Sequence, residues 1–330
     1  MADIAKLAGV AVSTVSRALA GSPLVSADTR ARIAELAKEH GYSINVGAQN
    51  LRLGQNQTIA VVVPYEAATG QNLSDPFFLS LLGCVVNAIT ARGWEVLLSR
   101  VEANAIESVA QPVLTGRAMG LVLMGHLNAF EPLNDLVRRG IPIVVWGALR
   151  PGQQFCTVGG DNFRGGELAG RHLVDQGARR ILFLGDPALP EFGQRLEGCL
   201  AAQRAAGIEP DPELQKPVPL LPAAIDAHLA SLVGAGIAFD AVFAASDLAA
   251  ATAIGTLRRL GIRVPQDVAV VGYDDITIAV HFDPPLTTVR QPIEQAGLAI
   301  VDSLLAQIEG RPAESTILPT ELIQRRSSLP

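Results

Sequence analysis

The chain has 330 residues, 49% of them hydrophobic, and a formal net charge of −6. It is long enough for two or three domains around a large core, and no uninterrupted 18-residue apolar run marks a membrane-crossing helix. The three cysteines, Cys84, Cys156 and Cys199, are odd in number and far apart, which fits core thiols in a reducing compartment rather than disulfides or a metal site.

The N-terminus has no apolar signal core, and with the thiols this predicts a cytoplasmic protein. The charge is uneven. Residues 1–60 carry six Lys/Arg and four Asp/Glu, leaving 20 against 28 for the remainder. A mildly basic head on an acidic body suits a module that contacts phosphates.

In chain order, Asp3 to Ala8 places Ile4, Leu7 and Ala8 on one helical face, and Gly9 breaks the chain as a tight turn needs. Beyond it Val15, Ala18 and Leu19 repeat the apolar spacing, while Val12, Ser13, Ser16 and Arg17 point the other way. Two short helices joined by a glycine turn form a helix-turn-helix, whose second helix enters the major groove; an ordinary helical hairpin reads the same way. Ser26 caps a third helix to about His40, with Ile33, Leu36 and Ala37 inward, Gly41 as C-cap and Tyr42 closing the small core. Asn45 then caps Val46–Leu53, a segment too short to be a stable helix alone and weakened by Gly47. Residues 1–44 thus read as an all-α headpiece, and 45–57 as a hinge helix and linker that orders only when supported.

From Thr58 the pattern changes. Ile59–Val63 is a buried strand, followed by a helix from Asp75 to about Arg92, a strand Trp94–Leu98, a helix near 104–115, a strand Met119–Met124, a helix near 131–139 and a strand Ile143–Trp146. After Val158 come helix 163–176, strand Ile181–Leu184, helix 191–206, a short strand near 217–221, helix 223–234, strand Ala241–Ala245, helix 247–260 and strand Val268–Gly272. The tail, Thr287–Gln291, a helix near 292–309 and a strand near 316–323, crosses back to the first lobe. Alternating buried strands and helices make parallel α/β sheets. Residues 58–330 therefore form a two-lobed core, an N-lobe of about 58–158 with the C-terminal returns and a C-lobe of about 159–285. Such a body holds a ligand between its lobes at the strand C-termini. The helix 77–91 is apolar nearly all round. Leu81, Leu82, Val85, Val86 and Ile89 on it are candidates for a two-fold dimer contact; complete burial within one subunit is the other reading.

These residues carry a resemblance. Asp3-Ile4-Ala5-Lys6-Leu7-Ala8-Gly9-Val10, Thr14-Val15-Ser16-Arg17, Val25-Ser26 with Thr29-Arg30, Gly41-Tyr42, Asp75-Pro76-Phe77-Phe78, Asp161-Asn162 with Gly165-Gly166, Arg195-Leu196-Glu197-Gly198, Val264-Pro265-Gln266-Asp267-Val268, Gly272-Tyr273-Asp274-Asp275, Pro285-Leu286-Thr287-Thr288-Val289 and Arg325-Arg326 follow one another along the whole chain. End to end, the chain resembles the lactose/galactose-repressor family of bacterial transcription regulators. The resemblance implies a headpiece that reads double-stranded operator DNA as a homodimer (a tetramer stays open), a hinge helix, and a periplasmic-binding-protein-like core that senses a small effector, a sugar or related metabolite.

It assigns Val12, Ser13, Thr14, Ser16 and Arg17 to the major groove. Arg17 suits a guanine edge or a phosphate, and Thr14 and Ser16 suit phosphates. It assigns Asn45, Ala48 and Leu51 to the minor groove, with Leu51 as the wedge that bends the duplex; a dimer or core contact is the plainer reading of Leu51. In the core it points to Phe77, Phe78, Trp146, Arg195, Leu221, Ser246 and Asp274 around the effector. An Arg–carboxylate pair offers a polyol both donors and acceptors, although a salt bridge without ligand has the same residues. The chain departs from the family at Ala11, where a capping Ser is common, at Ile44 and Gly47 in the hinge, and at Leu221, Ser246 and Gly147 in the pocket.

Other readings fare less well. Gly159–Gly166 is glycine-rich between strand and helix but fits neither G-x-G-x-x-G nor a P-loop. No nucleophile elbow is present, and the five histidines show no metal spacing. No catalytic residue, metal or cofactor is therefore expected. A nucleotide-dependent α/β enzyme or the solute-binding protein of a transport system is the alternative; the latter would have a leader and no headpiece. The expectation is a transcriptional regulator, a repressor, with no membrane partner.

Overall fold

The computed structural model describes residues 1–19, 22–40, 56–65, 73–125 and 130–329. The chain divides into two compact units, Met1–Asn56 and Gln57–Pro330.

In the first unit, α1 (Ala2–Ala8), α2 (Val12–Leu19) and α3 (Ala27–Glu39) enclose Ile4, Ala5, Ala8, Val15, Ala18, Val25 and Ile33. Gly9 ends α1 with φ 63°, a left-handed conformation that costs glycine little. The buried stripe of α1 is 4, 5 and 8, not 4, 7 and 8: Leu7 is 56% exposed and Ala5 takes its place. The Ser26 hydroxyl accepts from Thr29 N–H at 3.4 Å and caps α3 as its position predicts. α3 closes on His40, one residue early, with Leu36 O accepting from its N–H. The Arg32 guanidinium donates to the Ala8 carbonyl and ties α3 to the end of α1. Gly41, Tyr42 and the hinge residues Asn45, Ala48 and Leu51 lie outside the described residues.

The second unit holds two sheets. The first runs β10-β5-β4-β3-β1-β2, all parallel: β1 (Thr58–Tyr65), β2 (Glu95–Glu102), β3 (Gly120–Met124), β4 (Ile143–Trp146), β5 (Cys156–Gly160) and β10 (Thr316–Leu318). The second runs β11-β9-β8-β7-β6: β6 (Ile181–Leu184), β7 (Ala241–Ala244), β8 (Ala269–Asp274), β9 (Thr287–Arg290) and β11 (Glu321–Ile323), the last antiparallel. The longer helices among the described residues are α4 (Pro76–Thr90), α5 (Phe130–Arg138), α6 (Asn162–Asp175), α7 (Pro190–Ala205), α8 (Pro222–Gly234), α9 (Asp247–Arg259) and α10 (Ile293–Ile308). Every residue of β1 from Ile59 to Pro64 is buried, as a parallel strand covered on both faces must be.

Three sequence readings are corrected. Residues 217–221 form no strand; Val218 N–H bonds Gly185 O at 3.0 Å from an irregular segment. β5, part of the first sheet, was not anticipated as a strand. The tail strand 316–323 is two strands, one in each sheet, so the chain crosses between lobes after β5, after β9 and after β10. The crossings are packed together: Asp161 N–H bonds Leu318 O at 2.9 Å and Thr320 Oγ1 bonds Asp161 O at 3.2 Å. A Cβ on Gly160 would meet Gln291 Oε1 at 2.9 Å.

The apolar girth of α4 has an internal explanation. Leu81, Val85 and Ile89 are wholly buried within the chain, between the first sheet and α10. A Cβ on Gly297 of α10 would stand 2.8 Å from the backbone of Cys84. Leu81, Val85 and Ile89 are therefore core residues with no surface to offer a second copy, contrary to the dimer contact their sequence suggested. Leu79, exposed, and Leu82 and Val86, half-buried, form the outer face.

Candidate functional site

In the headpiece, α2 sorts its residues by spacing. Val15 and Ala18 are buried, whereas Val12 (46% exposed), Ser13 and Arg17 are exposed and Thr14 and Ser16 half-buried. Thr14 and Val15 N–H both bond the Ala11 carbonyl, at 2.9 and 3.2 Å. Ala11 is thus the capping residue and has no side-chain oxygen for the orphan N–H groups of the first turn. The outcome is an outward side of α2 with three hydroxyls (Ser13, Thr14 and Ser16), the methyl pair of Val12 and the Arg17 guanidinium, the chemistry that reads groove edges and phosphates.

In the core, α6 and α7 approach more closely than side chains allow. A Cβ on Gly166 would stand 1.9 Å from Arg195 O, and one on Gly198 2.0 Å from Phe163 O. These glycines set the start of α6 against the first turns of α7, where Arg195 is buried. Its Nε donates to Asn162 Oδ1 at 2.9 Å, its Nη1 to Ala245 O at 2.5 Å, and its guanidinium lies 3.6 Å from the Tyr273 ring centroid. Asn162 in turn donates to Gly160 O at 3.1 Å.

Asp274 ends β8 with φ 114° and Asp275 follows with φ 53°. Two non-glycine residues in the left-handed region cost on the order of 1–3 kcal/mol each and are held by their surroundings. Gln291 Nε2 donates to Asp274 Oδ1 at 2.8 Å; Arg290 Nε and Arg325 Nη2 each bond Asp275 at 2.7 Å. Burial pushes the Asp274 carboxyl well above the usual carboxylate range; Arg195 pulls it down, and Asp247 and Asp75 push it further up. Asp75 caps α4, accepting from Phe77 N–H at 2.8 Å, and burial raises its carboxyl too. Behind them Asp247 is buried, accepting from Thr288 Oγ1 at 2.5 Å and Ile276 N–H at 2.8 Å, and burial lifts its carboxyl to about 7.

Phe77 packs on Trp146 at 6.1 Å between ring centroids and on Phe78 at 5.6 Å, edge to face. Ser246 caps α9 by accepting from Ala249 N–H at 3.2 Å, and Leu221 precedes α8, half-buried. The structure therefore ties Arg195, Asp274 and Phe77, with Trp146 and Phe78, into two adjoining clusters through Asp75; Ser246 is engaged as a cap. Arg195 and Asp274 are each held by neutral partners rather than by one another. Sequence reasoning did not single out Asn162, Asp275 or Gln291 as site residues, although Asp161-Asn162 and Asp274-Asp275 stood among the motifs. Gln291 is an isolated Gln before a proline, with no pattern to mark it.

The lobes also touch at the loop after β4: Ala148 N–H donates to Glu191 Oε1, and Gln194 Nε2 to Leu149 O, both at 3.1 Å. Among the described residues no cluster of His, Cys, Asp or Glu suits a metal, and no helix is long and apolar enough to cross a membrane.

Comparison with known proteins places this geometry. Residues 1–45 match the family of bacterial regulatory proteins, lacI family, and residues 171–328 a periplasmic binding protein-like domain. The HTH-type transcriptional regulator CelR of Thermobifida fusca is 36% identical over 98% of this chain and 96% of its own. The structure of a CelR–cellobiose complex superposes with a TM-score of 0.73 at 33% identity, covering 98% of each chain. That of the lac repressor dimer bound to operator and the anti-inducer ONPF gives 0.85 at 25% identity over 99% of this chain and 98% of that one. The chain belongs to the lacI family and is a helix-turn-helix transcriptional regulator with a two-lobed, periplasmic-binding-protein-like core.

Proposed function

We propose that the protein is a cytoplasmic repressor, without catalytic activity, that binds operator DNA as a homodimer and releases or tightens on it when a small effector enters the cleft between the lobes. The headpiece is residues 1–44, the hinge 45–57 and the core 58–330. Ser13 and Arg17 read base edges, Val12 makes apolar contact, and Thr14 and Ser16 hold phosphates. Asn45, Ala48 and Leu51 order on DNA, with Leu51 wedged into the minor groove. Phe77, Phe78, Trp146, Arg195, Leu221, Ser246 and Asp274 surround the effector, joined by Gln291. Leu82 and Val86, with Leu79, meet a second copy. The sugar of the CelR complex and the operator-bound lac repressor dimer support this reading.

The observation that carries it is the division of α2, with Val15 and Ala18 buried and Val12, Ser13 and Arg17 exposed on the opposite face. Fluorescence anisotropy on a duplex taken from upstream of the protein's own gene tests it. Losing a bidentate base contact costs about 1–3 kcal/mol, so Arg17→Ala binds roughly 5- to 150-fold more weakly. Equal affinity of variant and wild type removes Arg17 from the reading face.

A further inference from the structure

We infer that Asp247, Thr288 and Arg325 are positioning residues, which together hold the strained Asp274–Asp275 turn and so fix the Asp274 carboxyl in place, a role that rests on the reading of Asp274 as an effector residue. Asp274 and Asp275 leave β8 with φ 114° and 53°. L side chains avoid that region, and two in succession persist only where their neighbours over-determine them. Backbone and side chain are both pinned here. The Asp275 N–H donates to Thr288 Oγ1 at 3.3 Å, and the Ile276 N–H to Asp247 Oδ2 at 2.8 Å. Thr288 Oγ1 donates in turn to Asp247 Oδ1 at 2.5 Å, so the two anchors act as one unit. On the other side, the Asp275 carboxylate accepts from Arg325 Nη2 on one oxygen and from Arg290 Nε on the other, each at 2.7 Å.

The anchors are built for this place. Asp247 and Thr288 are wholly buried, so neither can touch a molecule in the cleft. Asp247 Oδ1 fits only because residue 272 is glycine: a Cβ there would stand 2.3 Å from it. Arg325 is itself fixed, its Nη1 donating to Leu286 O and its backbone N–H to Thr287 Oγ1, both at 2.8 Å. Apolar residues of similar volume fill a core at least as stably as paired polar ones do, so packing alone does not call for Asp247 and Thr288. What the polar set supplies is direction. With residues 275 and 276 pinned, the backbone at Asp274 has one path, and its carboxyl meets the Gln291 amide at 2.8 Å.

Crystal structures of full-length Thr288→Val and Thr288→Ser test this. Valine matches the shape of threonine but leaves the Asp275 N–H and Asp247 Oδ1 without that partner; serine keeps the hydroxyl. In Thr288→Val, Asp274 is expected to leave the left-handed region and its carboxyl to move by more than about 0.5 Å, the tolerance of a preorganised site, whereas Thr288→Ser keeps both in place. Arg325→Met frees the Asp275 carboxylate from a half-buried position; it should displace the same turn and decides the matter should Thr288→Val not fold. A turn that stays in place in the variants lacking an anchor overturns the inference. Thermal shift with cellobiose, gluconate and adenine, then titration calorimetry of whichever binds, reads the consequence. Affinity should fall roughly 5- to 150-fold in Thr288→Val, the range for a buried polar group left unpaired, and return in Thr288→Ser. A turn that moves with no change in affinity, or a wild type that responds to none of the three compounds, overturns the effector reading of Asp274 and not the anchoring.

Discussion

At the scale of single residues, Ala11 and Asp247 each carry a testable consequence. Ala11 leaves the first turn of α2 without a side-chain cap, so Ala11→Ser should stabilise the headpiece by about 1 kcal/mol, read as a rise in its thermal midpoint. Asp247 holds its proton to about pH 7 in the folded core, against 3.8 ordinarily. Between those values the folded state binds more protons than the unfolded one, so this group's contribution to stability falls as pH rises from about 4 to 7. Asp247→Asn should remove that fall. The difference in melting temperature between wild type and variant, followed from pH 5 to pH 8, checks it, and a pH-independent difference would contradict the assignment. The residues themselves were readable in part. Arg195 and Asp274 stood out through their motifs, but their partners Asn162, Ala245 O and Gln291 lie 33, 50 and 17 residues away in sequence, and no local pattern encodes such contacts. Leu7 looked inward on spacing alone. Its exposure reflects a three-helix core small enough to be filled by the alanines of α1.

At the scale of elements, the glycines between α6 and α7 decide whether Arg195 can reach Asn162. Gly166→Val has no room beside Arg195 O and should cost at least about 1–3 kcal/mol through overpacking, with effector binding lost in step; thermal melting without and with effector reports both. For α4 the two faces separate cleanly. Leu81→Ala empties a buried site and should destabilise the core by about 2–5 kcal/mol. Val86→Asp on the outer face should leave the melting of the monomer nearly unchanged and convert dimer to monomer in sedimentation. A Val86→Asp protein that stays dimeric would place the interface elsewhere. The sequence made α4 legible as a helix buried on more than one side, but not which neighbour does the burying. That neighbour is α10, more than 200 residues later, brought in by a crossing that hydropathy does not announce. The same blind spot made one strand of 316–323, where Pro319 and Thr320 carry the chain from one sheet to the other.

At the scale of the whole molecule, the two-lobed core is what the alternation of buried strands and helices demanded, and the three crossings between its lobes pack against one another. The hydrogen bonds from Ala148 N–H to Glu191 and from the Gln194 amide to the Leu149 carbonyl span the lobes, so a ligand that alters the lobe spacing must act on them, and they are a place where ligand and DNA affinity can be linked. Linkage requires that an effector preferring one arrangement shift the population of arrangements that bind operator, and that the coupling be reciprocal. The decisive measurement is therefore operator affinity by anisotropy with and without a saturating amount of an effector found by thermal-shift screening of sugars, sugar acids and nucleobases, paired with that effector's affinity with and without operator. The account predicts the same factor in both directions, roughly 5- to 150-fold; an operator affinity unmoved by a fully occupied cleft would contradict it.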